Sequence, residues 1–198
     1  MGRRLHPAML LMPLVVGAVI APMVVTSRTY AADWSNHLWL VWEQSLNIKE
    51  LGHPSYFLQS RFGAFYPWFA FNGGTLYAVT GAVAGLLGEH PLAAYVGAYL
   101  MSIIAAYGGW LWLCRQLGLT SWRAHVPAIL FVTSSYYVTN IYGRGDLPEV
   151  VGTSAIPLLV AAALYLLRAG PWRPLALVAF IAPAVFLTGS HTITVLWG

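Results

Sequence analysis

Long apolar runs alternate with short polar segments along this chain. A helix needs about 20 apolar residues to cross a bilayer, and four runs reach about that length while a fifth, shorter run follows them. They are His6–Ser27, Leu92–Leu113, Ala124–Tyr142, Val150–Leu167 and, last, Leu175–Leu187. The pattern therefore predicts an all-α membrane protein with about five transmembrane helices.

A further apolar run, Phe65–Leu87, is interrupted by Asn72-Gly73-Gly74, which breaks helical continuity. If this run does not cross, six basic residues lie on the N-terminal side of the membrane and four on the other. If it crosses, the counts become three and seven. Cytoplasmic loops carry the excess of Arg and Lys. We therefore predict a surface or re-entrant segment here, and a cytoplasmic N-terminus.

The long outer segment that follows the first span contains a stretch with helical periodicity, Trp34–Leu51. Apolar side chains recur at helical spacing on one face, at Trp34, Leu38, Val41, Trp42, Leu46 and Ile48. Polar side chains fill the other face, at Asn36, Glu43, Gln44, Asn47 and Glu50. This pattern predicts an amphipathic juxtamembrane helix that lies in the membrane interface.

The N-terminus allows a second interpretation. Arg3 and Arg4 precede the apolar stretch Met9–Val25, and Thr29-Tyr30-Ala31 is a passable signal-peptidase site. The stretch is longer than a usual signal-peptide core and more spans follow, which favours an uncleaved first helix. With either interpretation, the segment after Ala31 lies outside the cytoplasm.

Composition supports the membrane class. Of 198 residues, 59% are hydrophobic and 8% are charged, whereas soluble domains carry roughly 25% charged residues. The net charge of +4 comes from basic residues scattered between apolar runs, which topology explains better than a nucleic-acid partner. The single cysteine, Cys114, is expected to pack within a helix. No phosphate-binding loop or Gly-x-Ser-x-Gly motif is present, so nothing supports an ATP-driven cytoplasmic enzyme.

The acidic residues all fall on the predicted outer side, at Asp33, Glu43, Glu50, Glu89, Asp146 and Glu149. Acidic residues do little to set orientation, so their clustering indicates chemistry on that face. Asp33 follows the first span directly, where a carboxylate could meet a lipid headgroup, deprotonate a hydroxyl or bind a metal. The alternative is a helix cap, because Asp is a preferred N-cap residue.

A second acidic cluster lies in the short turn Arg144–Glu149. Asp146 and Glu149 are close enough in sequence to share a site, and Arg144 can hold phosphate oxygens with its fork of donors. The alternative is a solvated turn, with an Arg144–Asp146 pair and a helix that starts at Pro148.

Other outer residues are weaker candidates. Tyr66-Pro67-Trp68, with Gly73-Gly74-Thr75-Leu76-Tyr77, could line a lipid or sugar groove or anchor the chain at the interface. His191 lies at the outer end of the last span, where an imidazole is a functional candidate. His37, His53 and His90 share this side, but no His-x-x-x-His or Cys-x-x-Cys pair indicates a zinc site.

The order of these features resembles the C-type (GT-C) membrane glycosyltransferases, which include oligosaccharyltransferase catalytic subunits, protein mannosyltransferases and aminoarabinose transferases. A first span, an outer Asp, an amphipathic segment, an aromatic-Pro segment with Gly-Gly and a second acidic turn carry the resemblance. Phe65–Tyr77, Tyr142–Glu149 and Ser190-His191 resemble, more narrowly, bacterial membrane proteins known as 6-pyruvoyl-tetrahydropterin synthase-related, a label that implies no pterin chemistry here.

The resemblance implies a polyprenyl-phosphate sugar as donor, with its headgroup on the extracytoplasmic face of the cell membrane. Asp33 matches the family's first-loop base or metal ligand, and Asp146 and Glu149 match the second-loop acidic pair. Arg144 would contact the donor phosphate. A divalent cation, Mg²⁺ or Mn²⁺, would have Asp33 and Asp146 as candidate ligands. His37, Tyr66 and His191 are further candidates for substrate binding.

The resemblance covers nearly the whole chain but only the N-terminal part of such an enzyme. Residues 1–198 are therefore expected to form a single N-terminal transmembrane domain of a longer architecture. Two alternatives to a sugar transferase remain open. One is a lipid-binding or transporter-like protein without chemistry, and the other is an inactive relative that serves as an assembly partner.

Overall fold

The structure is a computed structural model that describes residues 7–26, 33–59, 65–66, 68–71, 73–168 and 171–187. Its α-helices are α1 (Leu11–Thr26), α2 (Trp34–Leu51), α3 (Trp68–Phe71), α4 (Gly74–Leu86), α5 (Pro91–Gln116), α6 (His125–Val132), α7 (Ser135–Val138), α8 (Leu147–Leu167) and α9 (Arg173–Leu187). Single 3₁₀ turns precede α1 and α6, at Pro7–Leu10 and Ser121–Ala124. A π-helical turn, Thr139–Arg144, leads towards α8. Two short strands, β1 (Leu58–Gln59) and β2 (Phe65–Tyr66), pair antiparallel.

The described part of the chain is thus helical apart from this short strand pair, as the sequence predicts. Among the described residues, two helices are long and apolar enough to cross a membrane, α5 with 26 residues and α8 with 21. The apolar helices α1, α4 and α9 are shorter.

Helices α5 and α8 form the centre of the bundle and approach each other closely at Gly109. A Cβ atom at this position would lie 2.5 Å from the backbone nitrogen of Leu158. Small residues at helix contacts let backbones approach in this way when lipid surrounds a bundle. At the C-terminal end of α5, the Gln116 side-chain amide donates to the Ala161 carbonyl over 2.8 Å.

Helix α2 has the predicted bounds, but several of its polar side chains point inward. Gln44 is fully buried and Asn47 is 3% exposed, whereas Trp42 is 44% exposed. Gln44 packs on Gly81 of α4, where an added Cβ would lie 2.8 Å from the Gln44 Cβ. Trp42 is on the predicted apolar face and is exposed, while Gln44 and Asn47 of the predicted polar face are packed inside.

The C-terminal half of α2 is held by polar contacts. The Gln44 amide donates to the Ser55 carbonyl over 2.6 Å and accepts from its backbone N–H over 3.1 Å. Lys49 forms an exposed ion pair with Glu89 in the turn between α4 and α5. The hydrogen bond within this ion pair and the negative charge of Glu89 raise the pKa of Lys49 above its usual value.

The predicted span Ala124–Tyr142 is not one continuous helix. It breaks after α6 at Thr133 and Ser134, and the Ser134 hydroxyl accepts from the Tyr137 backbone N–H over 3.3 Å to cap α7. The π-helical turn then ends at Gly145, whose φ of 70° is left-handed. Hydroxyl groups that compete for backbone partners, followed by a glycine that tolerates positive φ, explain the break.

The predicted interruption of Phe65–Leu87 is present in the structure. Gly73 takes a left-handed φ of 61° at the N-terminus of α4. A Cβ atom on Gly74 would clash with the Phe69 carbonyl oxygen, so the close approach of α3 requires glycine there. The segment consequently forms two helices, α3 and α4, in place of one long helix.

Candidate functional site

Asp33 and the turn Arg144–Glu149, called the two acidic turns below, meet through their backbones. The Asp33 N–H donates to the Arg144 carbonyl oxygen over 3.0 Å. Gly145 lies against Trp34, where a Cβ would be 2.8 Å from the Trp34 Cβ. The Tyr95 hydroxyl of α5 donates to the Gly145 carbonyl over 3.1 Å. Residues more than 100 positions apart thus lie at the same end of the bundle, as the sequence-based topology requires.

Asp146 organises the second turn. One carboxylate oxygen accepts from the Glu149 backbone N–H over 3.1 Å and caps α8, and the other accepts from the Arg144 guanidinium over 2.9 Å. The side chain is only 7% exposed. The Arg–Asp pair and the helix that starts near Pro148 are both present, but the turn is buried except for the Arg144 side chain. Asp146 therefore stabilises the turn through both of its carboxylate oxygens.

Asp33 has a different environment. It occupies the N-cap position of α2, yet its side chain makes no capping hydrogen bond. It is partly exposed. Among the described residues its carboxylate has no hydrogen-bond partner, while its backbone N–H and C=O are both used. The capping interpretation of Asp33 is therefore not supported, and its carboxylate remains available to a ligand.

His37 lies one helical turn after Asp33 and connects the turns to α4. Its Nδ1 shares a hydrogen bond with the Tyr77 hydroxyl, and its ring stacks on the tyrosine at a centroid distance of 6.0 Å. Its Nε2 lies 3.9 Å from a carboxylate oxygen of Asp146. Burial raises the pKa of Tyr77 well above its usual value, with further increases from Tyr95 and from the charges of Asp146 and Asp33. Tyr77 thus stays a neutral phenol that can donate to the imidazole.

Glu149 is buried beside a polar stripe on the π-helical segment. The Tyr136 hydroxyl donates to the Glu149 carboxylate over 2.8 Å. The Arg144 guanidinium donates to the Asn140 side-chain oxygen over 3.3 Å. Tyr136, Asn140 and Arg144 are spaced by four residues. This repeat of polar side chains in an apolar run is a sequence signal from which Tyr136 and Asn140 could have been found.

Several predicted residues are placed elsewhere or not described. Tyr66 pairs with Leu58 through its backbone, and its side chain lies outside the described part of the chain. His191 also lies outside the described residues. His53 is exposed and contacts the Pro54 carbonyl at 3.0 Å. His90 is exposed at the start of α5. The structure therefore brings together Asp33, His37, Arg144, Asp146 and Glu149, a set that we call the carboxylate cluster.

The cluster does not match a preformed metal site. Within the described ranges, no group of three or more His, Cys, Asp or Glu side chains is placed to hold a metal ion. Both Asp146 oxygens already have partners, so Asp33 offers the one unengaged carboxylate of the two candidate ligands. These residues do not fit the divalent cation that the resemblance allows.

Arg144 gives the cluster its positive charge. Its side chain is 53% exposed, and its contacts with Asn140 and Asp146 leave further N–H donors of the guanidinium open. A half-exposed guanidinium can bind an anionic group, and an unengaged carboxylate can accept a proton.

No protein-family model, curated protein or solved structure matches this chain.

Proposed function

We propose that this chain is the donor-binding membrane domain of a C-type glycosyltransferase, which moves a sugar from a polyprenyl phosphate to an acceptor on the extracytoplasmic face. The observation that carries the proposal is the hydrogen bond between Asp33 and Arg144. It joins, through their backbones, Asp33, whose carboxylate has no hydrogen-bond partner among the described residues, and Arg144, whose guanidinium is half exposed. A transferase of this kind needs both groups in one site.

A membrane location is part of the proposal. Large apolar side chains are exposed on every long helix, for example Leu14 at 66%, Met101 at 63% and Val160 at 47%. Exposing such surfaces to water costs free energy, whereas the hydrocarbon chains of a bilayer solvate them. We propose a multi-pass protein with a cytoplasmic N-terminus and with the carboxylate cluster on the outer side.

Each residue of the cluster has a proposed role. The Arg144 guanidinium binds the donor phosphate, and Asp146 holds the guanidinium in position over 2.9 Å. Asp33 acts as general base. His37, which is hydrogen-bonded to Tyr77, contributes to substrate binding beside Asp146.

The proposed step is a single in-line displacement. The acceptor oxygen forms a bond to the anomeric carbon while the bond from that carbon to the phosphate oxygen breaks. The electron pair of the broken bond leaves with the polyprenyl phosphate, whose charge Arg144 stabilises. The acceptor proton moves to the Asp33 carboxylate. The anomeric configuration is inverted.

The test compares Asp33→Asn with Arg144→Gln in purified protein, with Glu50→Gln as a control in an exposed carboxylate of the same helix. The probes are polyprenyl-phosphate hexoses and pentoses, and the readout is both donor binding and release of polyprenyl phosphate. We expect Asp33→Asn to lower transfer by about 10²-fold or more while donor binding persists. Arg144→Gln should weaken donor binding by about tenfold or more.

Full transfer activity in Asp33→Asn would exclude this residue as the base. Equal donor binding by Arg144→Gln and the wild type would exclude the phosphate site. Loss of activity in Glu50→Gln as well would point to general damage to α2 and not to the proposed chemistry.

A second candidate function is lipid binding without transfer. It is favoured by the engagement of both Asp146 oxygens in structural contacts, which leaves a cluster with little acid–base capacity. Binding of a polyprenyl phosphate by Arg144, with no product from any donor and no effect of Asp33→Asn, would establish this function in place of the first.

A further inference from the structure

A cavity of about 540 Å³ lies among the helices, and no residue of the carboxylate cluster lines it. It is bounded by α4, α5, α8 and α9, with Leu76, Ala94 and Val151 among its lining residues. Leu76 and Ala94 are the immediate sequence neighbours of Tyr77 and Tyr95, whose hydroxyls contact the cluster and its turn.

The lining cannot recognise a polar ligand. Among the described residues, no charged side chain contributes to it. Its hydroxyl groups each donate within their own helix, Thr80 to the Leu76 carbonyl, Ser102 to Ala98 and Ser154 to Val150. With these donors engaged, the cavity offers alkyl surface to its occupant. An uncharged hydrocarbon is the complementary ligand.

The shape of the cavity fits a chain more than a compact ligand. Its lining on α5 extends from Ala93 to Ala105, which is about 18 Å along a helix. One leaflet of the hydrocarbon core is about 15 Å thick. Ala and Gly dominate this wall, and an added Cβ on Gly97 would meet no atom within 4 Å. The α5 wall of this channel is therefore formed mainly by small side chains and is about as long as one leaflet.

We propose that this cavity binds one acyl chain of a bilayer phospholipid. A straight methylene chain fits a channel walled by small side chains, where van der Waals contact along its length supplies the affinity. Exposed apolar side chains, Val79, Val83 and Met101, form part of the lining, so the channel continues into the surface that lipid would cover. The cavity is a structural lipid site, separate from the proposed site for the sugar donor.

The experiment uses the full chain in nanodiscs that contain a phosphatidylglycerol with a photoreactive diazirine in one acyl chain. Crosslinked peptides are mapped by mass spectrometry. Gly97→Leu fills the cavity, and Gly108→Leu is the matched control, because Gly108 is on the same helix, outside the cavity lining, and also has open space around it. Both changes raise helix propensity equally.

We expect crosslinks in the wild type within 93–105 and 151–158, and about tenfold fewer of them in Gly97→Leu but not in Gly108→Leu. Equal labelling of all three proteins, or labelling spread evenly over the exposed helix faces, would overturn the proposal. If excess polyprenyl phosphate displaced the probe, the occupant would be a prenyl chain and the acyl assignment would be wrong. Asp33→Asn should label like the wild type, so this outcome is independent of sugar transfer.

Discussion

Gly145 shows at the scale of one residue how the site depends on backbone shape. Its φ of 70° is left-handed, and its α-carbon lies against Trp34. The Tyr95 hydroxyl holds its carbonyl from the opposite side. No other amino acid combines this conformation with so close an approach. The contact between the acidic turns therefore depends on a residue that carries no functional group.

We expect Gly145→Ala to destabilise the fold and to weaken donor binding. Gly52→Ala is the matched control, because Gly52 has a similar φ of 77° but open space around it. The control should lose about 1 kcal/mol from left-handed strain alone. Gly145→Ala should lose about 1–3 kcal/mol more from overpacking against Trp34. Thermal unfolding in detergent measures both, and equal losses would mean that Trp34 moves aside freely.

At the scale of elements, α2 has the polarity that lipid imposes. Its buried side carries Glu43, Gln44 and Asn47, while Trp39 and Trp42 face outward at 43% and 44% exposure. Tryptophan favours the membrane interface, where its ring is in apolar surroundings and its N–H reaches water. The apolar residues of α2 are thus divided between the packed core, as with Trp34 and Val41, and the exposed surface, as with Trp42.

This arrangement gives an expected contrast between two neighbouring positions of the helix. Gln44→Leu leaves the Ser55 backbone N–H and C=O without their partner and should cost about 1–3 kcal/mol. Trp42→Leu should change the free energy of unfolding by about 0.5 kcal/mol or less. Unfolding in detergent measures both variants. A larger loss in Trp42→Leu than in Gln44→Leu would show that α2 packs through its apolar face after all.

At the scale of the whole molecule, the two acidic turns share one end of the bundle. The backbone hydrogen bond from Asp33 to Arg144 lies at the N-terminal end of α2, and the ion pair between Lys49 and Glu89 lies at its C-terminal end, just before α5 begins. The turn with Arg123 lies beyond the C-terminal end of α5, some 26 helical residues away. At about 1.5 Å per residue, that distance exceeds the hydrocarbon core of about 30 Å.

We expect single cysteines at these two ends to differ in accessibility, in a background where Cys114→Ala removes the native thiol. Cysteines at Lys49 and Arg144 should react with an impermeant reagent applied from outside. A cysteine at Arg123, which is exposed, should react after permeabilisation only. Labelling of Arg144 and Lys49 from opposite sides would contradict the fold, and labelling of both from the inside would reverse the proposed orientation.

Much of the class and local structure could be predicted from the sequence. Long apolar runs and few charges determine a helical protein suited to lipid, because a helix satisfies its own backbone hydrogen bonds within one segment. The bounds of α2 and the break at Gly73-Gly74 follow from periodicity and glycine, which are local properties. The grouping of carboxylates in two turns is likewise visible in the order of residues.

Only the tertiary structure decided which of these residues meet. The contact of Asp33 with Arg144, the burial of Gln44 and the position of Tyr77 against His37 depend on how separate helices pack. Hydropathy does not distinguish a side chain that faces lipid from one that faces another helix, since both surroundings are apolar. The break between α6 and α7, and the cavity beside Gly97, were hidden from the sequence for the same reason.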